Sequence, residues 1–285
     1  RCVRHPIAEM LELVQRSQPK VAESRGSDGR EILRVRELSK EFATGWVRKK
    51  TRRVLEGVAF SVSEGERLGV MGPSGQGKTT LARIILGVLA PTIGSVELAL
   101  GQRWQNVSRM PAGERVQFRR RVQMVYQDTD LVLDPAARIG DALVEAYRVF
   151  DSRLERAESY RLSAQILQEL ALPASILEAY PYRLSGGERK RVALARSLAA
   201  FGCPFAARPD EPCRLLVLDE PTAGVDVFLQ AILARFLIWA QRRLRLSYLV
   251  ISHDEQFVRQ FCHRALRLDR GRISASVSHA NESVV

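Results

Sequence analysis

The chain has 285 residues, a hydrophobic fraction of 46% and a formal net charge of +12. This length holds one large domain or a domain with a smaller lobe, and the apolar content is that of a globular core. No run of about 18 uninterrupted apolar residues occurs, so no membrane-spanning helix is encoded, and the opening stretch lacks the apolar centre of a signal peptide.

The basic clusters at residues 48–53, 119–121 and 242–245 are scattered and lack interleaved aromatics, so no nucleic acid is expected as a partner; a solvated surface or an anionic membrane face fits the charge instead. Cys2, Cys203, Cys213 and Cys262 form no Cys-x-x-Cys pair, and free thiols in a reducing compartment are expected.

Residues 1–30 read apart from the rest, with a short helical patch at 7–14 followed by a Ser-, Gly- and charge-rich linker. The main domain spans residues 31–273. Alternating apolar residues predict strands at 32–38 and 54–62, and a short apolar strand at 66–71. Next come a Gly-rich loop and an apolar helical repeat over 78–89, stopped by Pro91. Strands follow at 95–100 and 122–126. Helical spacing over 139–200 (Ala142, Leu143, Ala146; Leu162, Ile166, Leu167, Leu170) predicts a helical lobe. Continuous apolar runs at 214–218 and 248–252 predict buried parallel strands, with an amphipathic helix at 227–243 between them. A strand at 265–268 closes the domain, and residues 274–285 are expected to be a frayed tail. Strands alternating with helices imply an α/β fold with a mainly parallel sheet.

The loop Gly72-Pro73-Ser74-Gly75-Gln76-Gly77-Lys78-Thr79-Thr80 fits the P-loop pattern in its strand–loop–helix context. Its glycines let backbone N–H groups converge on a phosphate chain, and the helix behind adds its positive end. Lys78 is placed for the β- and γ-phosphates and the Thr79 hydroxyl for Mg²⁺. The run Leu215-Leu216-Val217-Leu218-Asp219-Glu220 reads as a Walker B element, with Asp219 near the metal and Glu220 placed to polarise an attacking water.

With these elements in order, residues 31–273 resemble the nucleotide-binding domain of ABC ATPases. The resemblance implies a P-loop NTPase fold of ABC type: a mainly parallel core sheet, an antiparallel β subdomain and a helical subdomain. Leu184-Ser185-Gly186-Gly187-Glu188 resembles the family signature, with Glu188 where Gln is usual. In the family, Ser185, Gly186, Gly187 and Glu188 would cap the γ-phosphate held by the opposite subunit. Gln127 matches the glutamine that touches Mg²⁺ or the attacking water. Ala223-Gly224-Val225-Asp226 matches the loop that contacts the partner subunit, and Asp226 is taken with the nucleotide site. His253 matches the histidine that reads the γ-phosphate, and Phe42 aligns with the aromatic that stacks on adenine. The resemblance thus implies ATP and Mg²⁺ as ligands, ATP hydrolysis, a head-to-tail dimer with a second ABC ATPase domain, transmembrane permease subunits and, indirectly, a solute-binding protein. It places the chain in the cytoplasm, against the inner face of the cell membrane.

Tyr126-Gln127-Asp128, then Leu133-Asp134-Pro135, resembles the oligopeptide, dipeptide and nickel importers, with Asp134 in place of the common Asn. Arg4-His5-Pro6 followed by Met10-Leu11 resembles the tail that ends a domain of that group, so the chain is expected to be the second half of a tandem protein. The implied function is powering import of peptides, nickel or a related small solute. A soluble ABC ATPase without a permease, of phosphonate-breakdown or metalloenzyme-activation type, is the alternative. One departure is residues 201–212, which lengthen a normally short connection by about eleven residues and carry three prolines.

Overall fold

The computed structural model describes residues 29–44, 50–101, 103–126, 128, 132–202 and 214–278. The readings made at residues 1–28, 127, 203–213 and 279–285, including Cys2, Cys203 and Cys213, lie outside the described residues. The element order is β1 (Glu31–Thr44), β2 (Lys50–Ser63), β3 (Arg67–Met71), α1 (Lys78–Ile85), β4 (Ile93–Leu100), β5 (Arg103–Asn106), α2 (Ala112–Arg119), β6 (Val122–Val125), α3 (Ile139–Phe150), α4 (Arg156–Glu169), α5 (Gly186–Ala199), β7 (Arg214–Asp219), α6 (Val227–Leu244), β8 (Leu246–Ser252), α7 (Glu255–Phe261), β9 (Arg264–Asp269) and β10 (Arg272–Ser278). These fall into two compact units. One takes the described chain up to Val122, Leu215–Glu220 and the chain from Ser247 on; the other takes Gln123–Arg214 and Pro221–Leu246.

In the first unit, an antiparallel sheet has the order β2-β1-β4-β5. Its long strands are not regular: the β1–β2 pairing shifts register between Val35 and Leu38, where Glu37 takes φ 45°. Such bulges twist and bend a strand pair. Within this unit the second sheet runs β10-β9-β3-β8-β7. β3 lies between β8 and β9, parallel to both, while β10 returns antiparallel to β9. All seven residues of β8 and all six of β7 are buried. That explains why Leu215–Leu218 and Tyr248–Ile251 run without a polar alternation: strands covered on both faces have no solvent side. Leu68, Val70, Leu249, Val250 and Ile251 are fully buried, each stabilising the fold by about 1.5–3 kcal/mol relative to exposure.

The parallel arrangement brings strand ends together. Met71 at the end of β3 pairs with Ser252 at the end of β8. The Glu220 N–H, just past β7, donates to the Ile251 carbonyl at 2.8 Å. Loops leaving the carboxyl ends of neighbouring parallel strands are where such sheets build sites.

The second unit is largely helical. Leu143, Ala146, Leu162, Ile166, Leu167 and Leu170 are buried, as their spacing predicts, and Tyr147 and Phe236 are fully covered. α5 and α6 start at side-chain caps, Ser185 and Asp226 respectively, and α6 ends at Arg245 with φ 52°.

Several boundaries differ from expectation. α1 stops at Ile85, four residues short of Leu89. Gly87, at φ 67°, donates its N–H to Ile84 and breaks the helix, and Val88 is 69% exposed. β6 ends at Val125, before Tyr126. β10 carries paired chain to Ser278, past Ser274, where fraying was expected. β5 and α2 occupy a basic stretch that showed no clear period. Cys262 is buried and free, and burial pushes its thiol up to about 12.

Candidate functional site

β3 runs directly into the Gly-rich loop, and α1 begins at Lys78 with Gly77 as its N-cap at φ 100°. A side chain at Gly77 would place Cβ 2.8 Å from Leu55 Cδ2 and 2.9 Å from the Val54 carbonyl. Only glycine lets the loop lie this close to β2 while taking that backbone angle. Pro73, Ser74 and Gly75 are exposed, Gly72, Gln76 and Thr80 are half-buried, and Thr79 is exposed. No acidic residue stands in the first turn of α1, so the positive end of the helix is unopposed there. The exposed arc of backbone in front of this helix end suits an anion.

Lys78 is 7% exposed and folds back over the loop. Its Nζ donates to the carbonyls of Gly72 (2.7 Å) and Pro73 (3.0 Å) and lies 3.9 Å from Glu220 Oε1. Beside it, Thr79 Oγ1 donates to Asp219 Oδ2 at 3.2 Å. Asp219 is buried, and desolvation raises its pKa above the usual carboxylate range, against the Thr79 hydrogen bond and the nearby Lys78. A buried carboxylate in that state gains from a cation. A hydroxyl and a carboxylate are the hard oxygen donors a magnesium ion takes, with water or phosphate filling its remaining positions.

Glu220 is the hub. It sits at φ 50°, a left-handed conformation that costs a non-glycine residue about 1–3 kcal/mol and that clusters at functional sites. Its Oε2 accepts from Ser252 Oγ (3.1 Å) and the His253 N–H (3.2 Å), and lies 2.8 Å from His253 Nδ1. Ser252 Oγ in turn accepts from the Asp254 N–H at 3.0 Å. One carboxylate oxygen is thus fully engaged, while the other faces Lys78. Glu220 is 8% exposed on its side chain and His253 59%, so the imidazole covers the carboxylate from the solvent side.

In the other unit, Ser185 caps α5 through a reciprocal pair. Ser185 N–H and Oγ both donate to Glu188 Oε2 at 2.8 Å, and the Glu188 N–H donates to Ser185 Oγ at 3.3 Å. This capping box uses a carboxylate as well as it would an amide, which rationalises Glu188 where Gln is usual. The Ser185 backbone hydrogen bond, and then its hydroxyl, hold the Glu188 carboxyl below the usual range. Lys190 Nζ donates to the Ala223 carbonyl, tying the signature helix to the loop that ends in Asp226. Asp226 caps α6 by accepting the Leu229 N–H at 3.0 Å.

The structure therefore brings Lys78, Thr79, Asp219, Glu220 and His253 together in one unit, and the Ser185–Glu188 and Ala223–Asp226 segments in the other. Phe42, on β1, is 36% exposed, with Lys40 Nζ 5.2 Å from its ring centre. Gln127 lies outside the described residues. Ser252 and Lys190 were not foreseen. A serine beside His253 at the end of a buried strand was the available signal for the first; nothing local marked the second. The Ser185-x-x-Glu188 spacing was itself readable as a capping box.

Residues 55–223 match the ABC transporter family. Over 250 residues the chain is 36% identical to a protein of Brucella abortus (strain 2308) named "Putative peptide import ATP-binding protein", covering 86% of this chain and 70% of that one. A protein of Brucella ovis with the same descriptive name is 34% identical over 244 residues, covering 85% and 70%. Among solved structures, the ATP-binding cassette MJ0796, a dimer in a post-hydrolysis state bound to ADP and Pi, superposes with a TM-score of 0.74 at 22% identity, covering 88% of this chain and all of that one. The cbiO1 protein of Clostridium perfringens, part of the transporter complex cbiONQ, gives 0.68 at 24% identity, covering 88% and 89%.

Proposed function

Because the chain belongs to the ABC transporter ATP-binding family, we propose that it is the ATP-hydrolysing subunit of an importer for peptides, nickel or a related small solute. The observation that carries this reading is the buried Glu220 carboxylate, one oxygen engaged by Ser252 and His253 and the other facing Lys78 at the end of the phosphate loop. The shared name of the relatives favours peptides as cargo.

In this reading, the backbone of Gly72, Pro73, Ser74, Gly75, Gln76, Gly77 and Thr80 wraps the phosphates. Lys78 turns from the loop carbonyls to the β- and γ-phosphate oxygens. Thr79 and Asp219 would hold Mg²⁺ through hydroxyl and carboxylate oxygens, and Gln127 would touch the ion or the attacking water. When bound, the ion draws off negative charge that builds on the phosphates. Glu220 accepts a proton from the attacking water as that oxygen bonds to the γ-phosphorus and the bond to ADP breaks. His253 keeps the carboxylate oriented and reaches the γ-phosphate, and Phe42 stacks on adenine.

Ser185, Gly186, Gly187, Glu188 and Asp226 act on the nucleotide of an opposite subunit. One chain is therefore half of a head-to-tail pair. No helix among the described residues is long and apolar enough to cross a membrane. The protein works against the inner face of the membrane by docking on permease subunits, with a solute-binding protein supplying cargo to them.

The test is isolation of the tagged chain from its native membranes, with reconstitution of the complex. Two multi-span subunits should copurify, and ATP turnover should rise when peptide-loaded solute-binding protein is added. Turnover indifferent to the membrane subunits would overturn the importer reading.

A further inference from the structure

The second residue of a Gly-x-Gly segment is free in the phosphate-loop pattern, and here it is Gln76. Its side chain is half-buried, and its Oε1 accepts the Arg270 N–H at 2.6 Å, across 194 residues of sequence. Arg270 and Gly271 form the two-residue turn between β9 and β10, closed by the Asp269–Arg272 pair. Both take positive φ, 47° and 78°, the pattern of a type I′ hairpin turn, which favours Asn-Gly over Arg-Gly. Hydrogen bonds across such a turn run between its flanking residues, so the N–H of the first central residue has no acceptor inside the hairpin. Gln76 supplies that acceptor.

The same turn is wedged against the loop's other neighbours. The Gly271 carbonyl accepts the Glu56 N–H at 2.8 Å, and a Cβ on Gly271 would stand 2.5 Å from the Val54 carbonyl. Val54 is also what a Cβ on Gly77 would meet, and a Cβ on Gly72 would meet the Leu268 carbonyl at 2.2 Å. The loop thus rests on the end of β9 at Gly72, on β2 at Gly77, and on the hairpin turn at Gln76.

We propose that Gln76 is a positioning residue: its side chain clamps the β9–β10 turn to the phosphate loop and so holds the loop's backbone in the shape that receives the phosphates. This rests on the nucleotide-binding reading of the loop. It adds that affinity for ATP depends on a side chain pointed away from the nucleotide and on a turn far off in sequence. The Arg270 side chain plays no part; its backbone N–H does.

The test follows the Arg270 amide by hydrogen–deuterium exchange resolved by NMR, alongside ATP affinity. Gln76→Met keeps the length and loses the acceptor. It should speed Arg270 exchange and weaken ATP binding about three- to tenfold, the range of one hydrogen bond. Gln76→Glu keeps an acceptor oxygen and should retain the slow exchange. Arg270→Asn, which suits positive φ, should bind ATP as the parent does. If Gln76→Met does not fold, Gln76→Ser serves with the same readouts. An Arg270 amide that exchanges equally in parent and Gln76→Met, or a parent-like affinity in that variant, would overturn the clamp. Lys78→Met separates the two readings: if it too binds ATP normally, the nucleotide site itself is misplaced.

Discussion

The loop glycines differ in what surrounds them, and that difference predicts a measurable order. Gly75 has φ 80° with nothing within 4 Å of an added Cβ. Gly75→Ala should therefore cost only the left-handed strain, about 1–2 kcal/mol. Gly77→Ala carries comparable or greater strain at φ 100°, and its Cβ enters contacts of 2.8 and 2.9 Å with Leu55 Cδ2 and the Val54 carbonyl. Overpacking of that kind adds about 1–3 kcal/mol, and a backbone carbonyl in a strand cannot swing aside as a flexible side chain would. Taking roughly 2 °C per kcal/mol for a chain of this size, Gly77→Ala should melt about 4–10 °C below the parent and Gly75→Ala about 2–4 °C below it. Gly77 also sets the entry of α1, so the pair should fall in the same order for ATP affinity. Thermal melts by circular dichroism and titration with a fluorescent ATP analogue measure both. Equal losses for the two variants would refute the claim that β2 packs against the loop at Gly77.

Lys78→Met removes a cation that donates to two loop carbonyls and faces Glu220; it should raise the Kd for ATP more than tenfold and lower stability by about 1–3 kcal/mol, read by calorimetric titration and urea unfolding. Acid should destabilise the fold through His263, whose Nδ1 accepts the Arg67 N–H at 3.1 Å and whose pKa burial lowers from 6.5 to about 4. The unfolded chain takes up this proton first as pH falls, so the contribution is fully present above about pH 6.5 and is lost towards pH 4, up to about 3 kcal/mol. His263→Asn keeps an acceptor that does not titrate, and its urea stability should fall less steeply across that window; equal slopes would reject the assignment.

Legible in the sequence were those features in which local chemistry and chain geometry coincide. The unbroken apolar runs ending at Asp219 and Ser252 announced buried parallel strands, and the glycine spacing announced the loop between β3 and α1. The P-loop and the apolar strand before Asp219-Glu220 marked Lys78, Asp219 and Glu220 as one site on the shared carboxyl edge of parallel strands, and the family resemblance added His253. Local pattern failed where tertiary contact decides. Val88 and Leu89 continue the helical spacing of α1, but Gly87 has already turned the chain out. Trp104, Val107 and Phe118 lie in a stretch so basic that no period shows through, although Val107 and Phe118 are buried. Ala275 and Val277 alternate with serines, which reads as a frayed tail until β9 is there to pair with them. The Gln76–Arg270 bond joins a variable motif position to a remote turn, and no spacing rule reaches that far.

The central claim is that Glu220 activates the water that attacks ATP. Steady-state phosphate release by the reconstituted complex carrying Glu220→Gln tests it, with ATP affinity measured on the same preparation. Turnover should fall by about 10²- to 10⁴-fold, the usual weight of a general base, with ATP still bound. Turnover equal to that of the parent would contradict it.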